Sequence, residues 1–264
     1  MKIPIYQVDA FSNHTFAGNP AAVCPLNQWL PDQTLQAIAA ENNLPETAFF
    51  VRSGDHYELR WFTPAVEVDL CGHATLASGW VLFHELHEPG ERITFQTKSG
   101  SLTVAKRGEL LALNFPARPP APVQAHPGLV EALGGKPEIV LAARDYLVVY
   151  PHASDVKTLQ PDMVGLSKVD KFAVIVTAPG ETCDFVSRFF APAQGIPEDP
   201  VTGSAHCTLI PYWAKRLNKD VLHARQLSKR GGELYCQMLG DRVEIAGRSV
   251  LFLKGEISLS SSPI

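Results

Sequence analysis

Apolar residues recur along this chain at two periods, one typical of strands and the other typical of helices. Period-two and continuous apolar runs predict strands at residues 3–11, 48–51, 57–62, 94–97, 102–105, 110–115, 140–150, 172–177, 185–190, 234–238, 242–245 and 250–257. Helical spacing predicts helices at residues 32–43, 74–87, 126–133 and 204–217. Asp32 is the predicted N-cap of the first of these helices.

One pattern occurs twice in the chain. Residues 60–65 read RWFTPA and residues 188–193 read RFFAPA. In the same order, CGHA at 71–74 corresponds to TGSA at 202–205. Gly72 and Gly100 are 28 positions apart, and so are Gly203 and Gly231. Echoes that keep their order and spacing indicate a duplicated unit. We therefore expect two lobes of similar fold that face each other, with the ligand site in the cleft between them.

A proline-rich segment separates the two copies. Residues 116–122 hold four prolines in seven positions, which neither a helix nor a central strand tolerates. The predicted N-terminal lobe is residues 1–116 and the predicted C-terminal lobe is residues 117–264, although the last strand is free to return to the first lobe. The serine-rich end at 258–262 is predicted to be a frayed tail.

Composition excludes several classes of function. A chain of 264 residues with 45% hydrophobic residues is long enough to bury two cores, and a net charge of -4 gives no basic field for nucleic acid. No stretch approaches the roughly 20 apolar residues of a membrane helix, and no apolar signal segment precedes the first strand. The five cysteines are widely spaced and form no Cys-x-x-Cys pair, so we predict reduced thiols, no metal site and a cytoplasmic location.

Two helix starts are candidates for substrate binding. Gly72 and Gly203 each open an apolar helix, and the unpaired N–H groups of two such starts would bind a carboxylate or phosphate. The alternative is that Thr202 or Ser204 simply caps its helix. Because the same turn occurs in both copies, we favour the functional interpretation.

Three side chains near these turns are candidates for proton transfer. Glu46 precedes a very apolar strand, a position that suits a general acid or base, although many glutamates at strand ends are simply solvated. Asp199 lies just before the second turn, where it either accepts protons or stabilises the positive end of the helix. His73 changes protonation near neutral pH, and its alternative role is that of an ordinary cap or core residue.

The chain does not match the motifs of other common enzyme classes. Residues 202–206, TGSAH, are not the Gly-x-Ser-x-Gly elbow of a serine hydrolase. The HELH segment at 84–87 has the wrong spacing for a two-histidine zinc helix. Nucleotide cofactors have no support either, since neither a dinucleotide-binding glycine motif nor a Walker loop occurs.

The motifs together resemble the phenazine biosynthesis-like PhzF family of isomerases. They are VDAF at 8–11, FAGNPAAV at 16–23, ET at 46–47, CGHAT at 71–75 and DPVTGSA at 199–205, and they span nearly the whole chain. The resemblance implies an α/β (α+β) protein of the diaminopimelate epimerase-like fold, with two pseudo-symmetric lobes. In each lobe a curved sheet or barrel surrounds a central helix.

The resemblance also implies an activity. A PhzF-type glutamate moves a proton between carbons of a small amino-acid-like substrate without a cofactor, helped by His, Asp and Ser side chains. By motif, Glu46 is the acid and base, and His73 and Asp199 are its catalytic partners. The implied substrate-binding residues are Gly72, Thr202, Gly203 and Ser204. Pro45 departs from the serine expected before the glutamate, which puts the phenazine intermediate itself in doubt as a substrate.

Two rival functions remain. Related epimerases and racemases use one cysteine from each helix start, but here Cys71 has Thr202 as its counterpart, and a hydroxyl cannot replace a thiol as a base. Cys207 lies further along, inside the predicted helix, and is expected to face the core. The other rival is a binding protein that holds a small carboxylate without turnover. We expect no nucleic acid or membrane partner, and a homodimer stays open.

Overall fold

The computed structural model describes residues 1–260, which group into two compact units. The first unit is Met1–Asn114 together with the chain from Ala246 onward, and the second is Phe115–Ile245. The division after Asn114 lies within the strand that leads into the proline-rich segment. The last strand belongs to the first unit, the return that the sequence left open. Of the predicted frayed tail at 258–262, the part beyond residue 260 lies outside the described residues.

Strands predominate in both units. Up to the proline-rich segment the elements are β1 Lys2–Ala10, β2 Asn19–Leu26, α1 Asp32–Asn42, β3 Glu46–Ser53, β4 His56–Phe62, β5 Glu67–Val68, α2 Gly72–His84, β6 Arg92–Thr97, β7 Gly100–Arg107 and β8 Leu110–Pro116. They continue with β9 Ala121–Pro122, α3 Leu129–Leu133, β10 Ile139–Ala142, β11 Tyr146–Val149, α4 Ala153–Thr158, α5 Met163–Leu166, β12 Val174–Pro179, β13 Phe185–Ala191, β14 Ile196–Asp199, α6 Gly203–Leu217, β15 Val221–Gln226, β16 Gly232–Leu239, β17 Arg242–Gly247 and β18 Ser249–Ser258. Within residues 1–260 no helix has the length and apolar character needed to cross a membrane.

In the first unit the strands pack around α2. β2 runs parallel to β3, β3 is antiparallel to β4, and β4 pairs in parallel with β6 and antiparallel with β5. Ten of the 13 residues of α2 are buried, and the helix packs against β1, β2, β3, β7 and β18. A helix that is apolar on every side is stable only inside a core, so α2 becomes the centre of this unit.

The second unit repeats this order of parallel and antiparallel strand pairings. β11 runs parallel to β12, β12 is antiparallel to β13, and β13 pairs in parallel with β15 and antiparallel with β14. Its long helix α6 has ten buried residues and packs on β15 and β16.

The paired glycines occupy equivalent elements, as the repeat predicts. Gly72 is the first residue of α2 and Gly203 is the first residue of α6. Gly100 (φ 93°) and Gly231 (φ 66°) lie in the turns of the hairpins β6–β7 and β15–β16. A positive φ at these turns favours glycine, which explains why the residue recurs at both places. The duplication read from the sequence is therefore present in the structure.

Two local predictions were wrong. Residues 140–150 are not one strand, because the chain turns near residue 144 and forms the antiparallel pair β10 and β11. Asp32 is not the N-cap of α1: Pro31 holds that position, with no side-chain cap bond, and Asp32 lies in the first turn. The Asp32 carboxylate instead accepts a hydrogen bond from Arg60.

Candidate active site

Glu46 and His73 meet at the N-terminal end of α2. Glu46 is the first residue of β3 and His73 is the second residue of α2, and their side chains are only 12% and 6% exposed. Glu46 Oε2 lies 3.1 Å from His73 Nε2. Despite this distance, neither atom has a well-directed hydrogen bond within the described structure, although both are buried. Buried polar groups are normally hydrogen-bonded, so the two atoms together present a position for a polar group of a ligand.

Local structure explains why these two side chains meet. β3 continues from Glu46 into buried apolar residues and pairs in parallel with β2, with Ala21 opposite Glu46. The following residues of α2 are buried as well, so the core fixes both elements by their apolar parts. The polar residues that begin each element are thereby held at one end of the core, facing each other.

The other side of the His73 ring contacts two further residues. Asn19, the first residue of β2, places its amide Nδ2 at 3.2 Å from His73 Nδ1. Cys71, the residue before α2, places its Sγ at 3.5 Å from the same nitrogen. Asn19 is fully buried and Cys71 is 6% exposed. Both ring nitrogens of His73 therefore lie against side chains with distinct chemistry.

The charges around this ring act in opposite directions. Burial lowers the pKa of His73, but Cys71 and Glu46 raise it by more, so its pKa lies well above the ordinary value. Burial and the Glu46 carboxylate raise the pKa of the Cys71 thiol, which is therefore protonated at neutral pH.

The start of α2 adds hydrogen-bond donors beside these groups. The first N–H groups of a helix have no partner within the helix, and they carry a partial positive charge. Cys71 is the N-cap, and its side chain makes no capping hydrogen bond to the helix. The backbone at Gly72 and His73 is thus suited to bind a carboxylate.

Glu46, Cys71 and His73 also form the one set of potential metal ligands found among residues 1–260. Their ligand atoms lie within 4.8 Å of one another. Zinc bound to Cys, His and Glu needs bonds of about 2.0–2.3 Å, so its ligand atoms lie about 3.5 Å apart. Side-chain movement would be required to reach that geometry. The predictions of no metal and no cofactor stay predictions.

In the second unit, Asp199 and Thr202 form a polar cluster before α6. Thr202 Oγ1 donates a hydrogen bond of 2.5 Å to Asp199 Oδ2. Gln226, on β15, accepts from the Thr202 backbone N–H at 2.9 Å and donates to the Asp199 carbonyl at 2.8 Å. Gln226 is 1% exposed, so this network is fixed from inside the core. Thr202 is the N-cap of α6, but its side chain bonds Asp199 instead of capping the helix.

Gly203 and Ser204 are the first two residues of α6. Gly203 is buried, and Ser204 Oγ accepts a hydrogen bond of 3.3 Å from Arg144 Nη2. Arg144 is itself held by two hydrogen bonds of 2.9 Å to Asp145, which is fully buried. A guanidinium thus lies next to this helix start, with its charge balanced by the Asp145 carboxylate.

Sequence reasoning found the residues of both helix starts but missed three of their partners. Asn19, Arg144 and Gln226 were assigned no role. Asn19 lies within the Gly-Asn-Pro segment used for the resemblance, and that segment was the available signal. Arg144 and Gln226 carry no local signal, because their contacts with Ser204 and Thr202 join residues 60 and 24 positions apart. That Asp199 and Ser204 act on the same substrate as Glu46 stays a prediction.

Comparisons with known proteins find a matching family profile and relatives of similar length. A family profile described as "Phenazine biosynthesis-like protein" matches residues 8–255. A protein of Pseudomonas aeruginosa named as an uncharacterized isomerase is 54% identical over 98% of this chain and 100% of its own length.

Solved structures show the same architecture. The crystal structure of a phenazine biosynthesis protein of the PhzF family from Enterococcus faecalis matches with a TM-score of 0.96 and 48% identity, over 98% of this chain and 100% of that one. A predicted epimerase from Pseudomonas aeruginosa matches with a TM-score of 0.75 over 98% of this chain and 100% of that chain. At 19% identity, the second match speaks for the fold alone. The expected α/β fold of epimerase type is confirmed.

Proposed function

Because the chain belongs to the phenazine biosynthesis-like family, we propose that it is an isomerase that moves a proton on a small carboxylate-bearing, amino-acid-like substrate. No cofactor takes part in the proposed reaction. Glu46 is its general acid and base, removing a proton from one carbon and returning it to another. The curated relative named as an isomerase supports the reaction class.

The observation that carries this proposal is the pair of Glu46 Oε2 and His73 Nε2. The two atoms are 3.1 Å apart and buried, and neither has a well-directed hydrogen bond within residues 1–260. A carboxylate held in an apolar surrounding, with a polar hydrogen-bonding neighbour, is suited to accept a proton from carbon. His73 hydrogen-bonds the reacting group, and the N–H groups at Gly72 and His73 bind the substrate carboxylate.

Residues of the second unit keep their predicted roles. Asp199 is proposed as a catalytic partner, and Thr202, Gly203 and Ser204 as substrate-binding residues. The hydrogen-bonded cluster that fixes Thr202 and the contact of Arg144 with Ser204 support a ligand-binding role for the start of α6.

A thiol racemase is a weaker candidate. Such an enzyme needs one thiol at each helix start, whereas Cys71 is matched by Thr202. Cys207 is 3% exposed inside α6, and burial raises the pKa of its thiol to about 11, so it is a poor base near neutral pH. The structure favours the carboxylate of Glu46 as the base.

Replacing Glu46 with Gln tests the proposal. The protein is incubated in D2O with a panel of small amino acids and with any ligand that co-purifies, and deuterium incorporation at carbon is followed by NMR. Glu46→Gln should slow incorporation by about 10²–10⁴-fold, because the amide keeps the shape but transfers no proton. Binding, measured by calorimetry, should change much less. The matched control Glu41→Gln alters an exposed glutamate on α1 and should change neither.

Two results would count against this function. An unchanged exchange rate in Glu46→Gln would remove Glu46 from the mechanism. A bound ligand with no exchange in the wild-type protein would instead identify a binding protein without turnover.

A further inference from the structure

Each nitrogen of the His73 ring faces other side chains, and the side chains on the two sides differ in their hydrogen-bonding chemistry. On one side, the Asn19 amide nitrogen lies 3.2 Å from Nδ1 and Cys71 Sγ lies 3.5 Å from Nδ1. On the other side, Glu46 Oε2 lies 3.1 Å from Nε2. The ring is 5% exposed and Asn19 is fully buried, so water does not compete with these contacts.

An amide nitrogen is a donor and never an acceptor. With Asn19 Nδ2 facing the ring, Nδ1 has to accept the hydrogen bond and therefore carries no proton. A neutral imidazole has one proton, which must then lie on Nε2. Nε2 is the nitrogen beside Glu46. The Cys71 thiol is only a weak donor and lies further from Nδ1, so the Asn19 amide is the neighbour that decides the tautomer.

We propose that Asn19 is a positioning residue that keeps Nδ1 of the neutral His73 ring free of a proton, so that the ring proton lies on Nε2, the nitrogen beside Glu46. The role of that proton in catalysis rests on the proposed function, but the tautomer itself does not.

Asn19 also opposes a second proton on the ring. Glu46 and Cys71 are the titratable groups that act on His73, and the Glu46 carboxylate favours the charged imidazolium. Protonation of Nδ1 would bring two N–H groups face to face unless the Asn19 amide turned to offer its oxygen. The neutral ring with its proton on Nε2 accepts the hydrogen bond of the Asn19 amide at Nδ1 without such a movement.

The backbone around Asn19 explains how a single amide is held so firmly. Gly18 has a φ of 66°, and a Cβ at that position would collide with the Ala10 carbonyl oxygen, so only glycine fits there. Pro20 has a fixed φ and restricts the preceding residue to extended backbone. Asn19 then pairs with Ala10 across β1 and β2. The Gly-Asn-Pro segment is thus a rigid support for the amide.

The test is the tautomer of the neutral His73 ring, read from ring 15N shifts of histidine-labelled protein at a pH above the raised pKa of that ring. The His73 signals are assigned by their loss in His73→Gln. In the wild type, the neutral ring should be protonated at Nε2. Asn19→Asp places a carboxylate acceptor at Nδ1, so the proton should shift to Nδ1 and the pKa should rise by at least about one unit. Asn19→Ala should remove the strong preference for one tautomer.

Cys71→Ala is the matched control, because it removes the other neighbour of Nδ1 and should leave the tautomer unchanged. A wild-type ring protonated at Nδ1 would overturn the proposal, even if no Asn19 variant folds. A tautomer change in Cys71→Ala but not in Asn19→Ala would overturn it too, in favour of Cys71. These measurements need no substrate. An Nε2 proton with no carbon exchange would therefore reject the proposed isomerase and leave the role of Asn19 intact.

Discussion

Arg60 binds Glu67 through two parallel hydrogen bonds, Nε to Oε1 at 2.8 Å and Nη2 to Oε2 at 2.9 Å. The second unit repeats this pair as Arg188 and Glu198, with distances of 2.7 and 3.1 Å. Arg60 lies on β4 and Arg188 lies on β13. Glu67 lies on β5, the short strand that pairs with β4, and Glu198 lies on β14, the short strand that pairs with β13. The duplication therefore extends from the strand order to individual charged side chains.

Arg188 should matter more for stability than an exposed ion pair does. Besides Glu198, it donates to the carbonyl oxygens of Val156 and Leu159 at 3.1 and 2.8 Å, and its side chain is 11% exposed. Arg188→Met leaves three acceptors without their donor, so we expect a loss of about 2–4 kcal/mol in the free energy of unfolding, measured with urea.

The control for Arg188 is Lys98→Met. Lys98 pairs with Glu67 but is 53% exposed, so its loss should cost less than about 1 kcal/mol. Equal effects of the two substitutions would show that the Arg188 pair adds nothing to stability beyond a surface contact.

Sequence alone was sufficient for the repeat because glycine spacing and turn geometry are local. Gly72 and Gly203 open helices, and Gly100 and Gly231 take a positive φ, a backbone conformation that favours glycine. The division of residues 140–150 into two strands was missed. Both β10 and β11 are apolar, and the turn between them contains no glycine or proline to mark it.

The site could be predicted only in part, for the same reason. Glu46 and His73 lie in recognisable motifs, and the structure brings them together. The contact between Asn19 and His73 joins residues 54 positions apart, and only the parallel pairing of β2 with β3 and the packing of α2 create it. Apolar periodicity places such elements in a core but does not fix which polar ends meet.

The Cys71 thiol should be dispensable for chemistry. Its pKa is raised by burial and by Glu46, and its counterpart is Thr202, so no second thiol is available to complete a racemase. Cys71→Ser should therefore keep most of the deuterium exchange, and a serine suits the N-cap position of α2. Cys236→Ser, another buried cysteine, controls for the general cost of a hydroxyl in the core. A loss of about 10²-fold or more in Cys71→Ser alone would restore the racemase interpretation.

Gly79 lies where the central helix α2 touches β7. A Cβ at this position would lie 2.6 Å from Val104 Cγ1 and 2.9 Å from Val104 Cβ, and Val104 is fully buried. Alanine is favoured over glycine in a helix by about 1 kcal/mol, but overpacking costs about 1–3 kcal/mol. We expect Gly79→Ala to lower the free energy of unfolding by about 1–2 kcal/mol. An increase in the free energy of unfolding of Gly79→Ala would show that β7 moves away from α2 at little energetic cost.

The double variant of Gly79 and Val104 identifies the cause of that loss. Val104→Ala removes the two Cγ methyl groups and leaves the Cβ contact, so Gly79→Ala should cost less in that background than alone. Additive losses would mean that the Val104 methyl groups are not what destabilises Gly79→Ala.

His206 should make the second unit sensitive to acid. It lies in α6, is fully buried, and its Nδ1 is 2.8 Å from the Thr202 carbonyl oxygen, to which the neutral ring donates. Burial lowers its pKa to about 4, although the hydrogen bond to Thr202 acts in the opposite direction and raises the pKa. In the unfolded chain a histidine takes up its proton near pH 6.5. Between these two values the unfolded chain binds the proton and the folded protein does not.

The folded state should therefore lose stability as the pH falls from 6.5 towards 4, and above 6.5 this residue should have no effect on the pH dependence. Between pH 7.5 and 4.5 the loss due to His206 should be about 2–3 kcal/mol, obtained as the wild-type change in unfolding free energy minus that of His206→Gln. His152→Gln, an exposed histidine, should keep the wild-type slope. If His206→Gln keeps that slope as well, the buried ring is protonated in the folded protein or does not control its acid response.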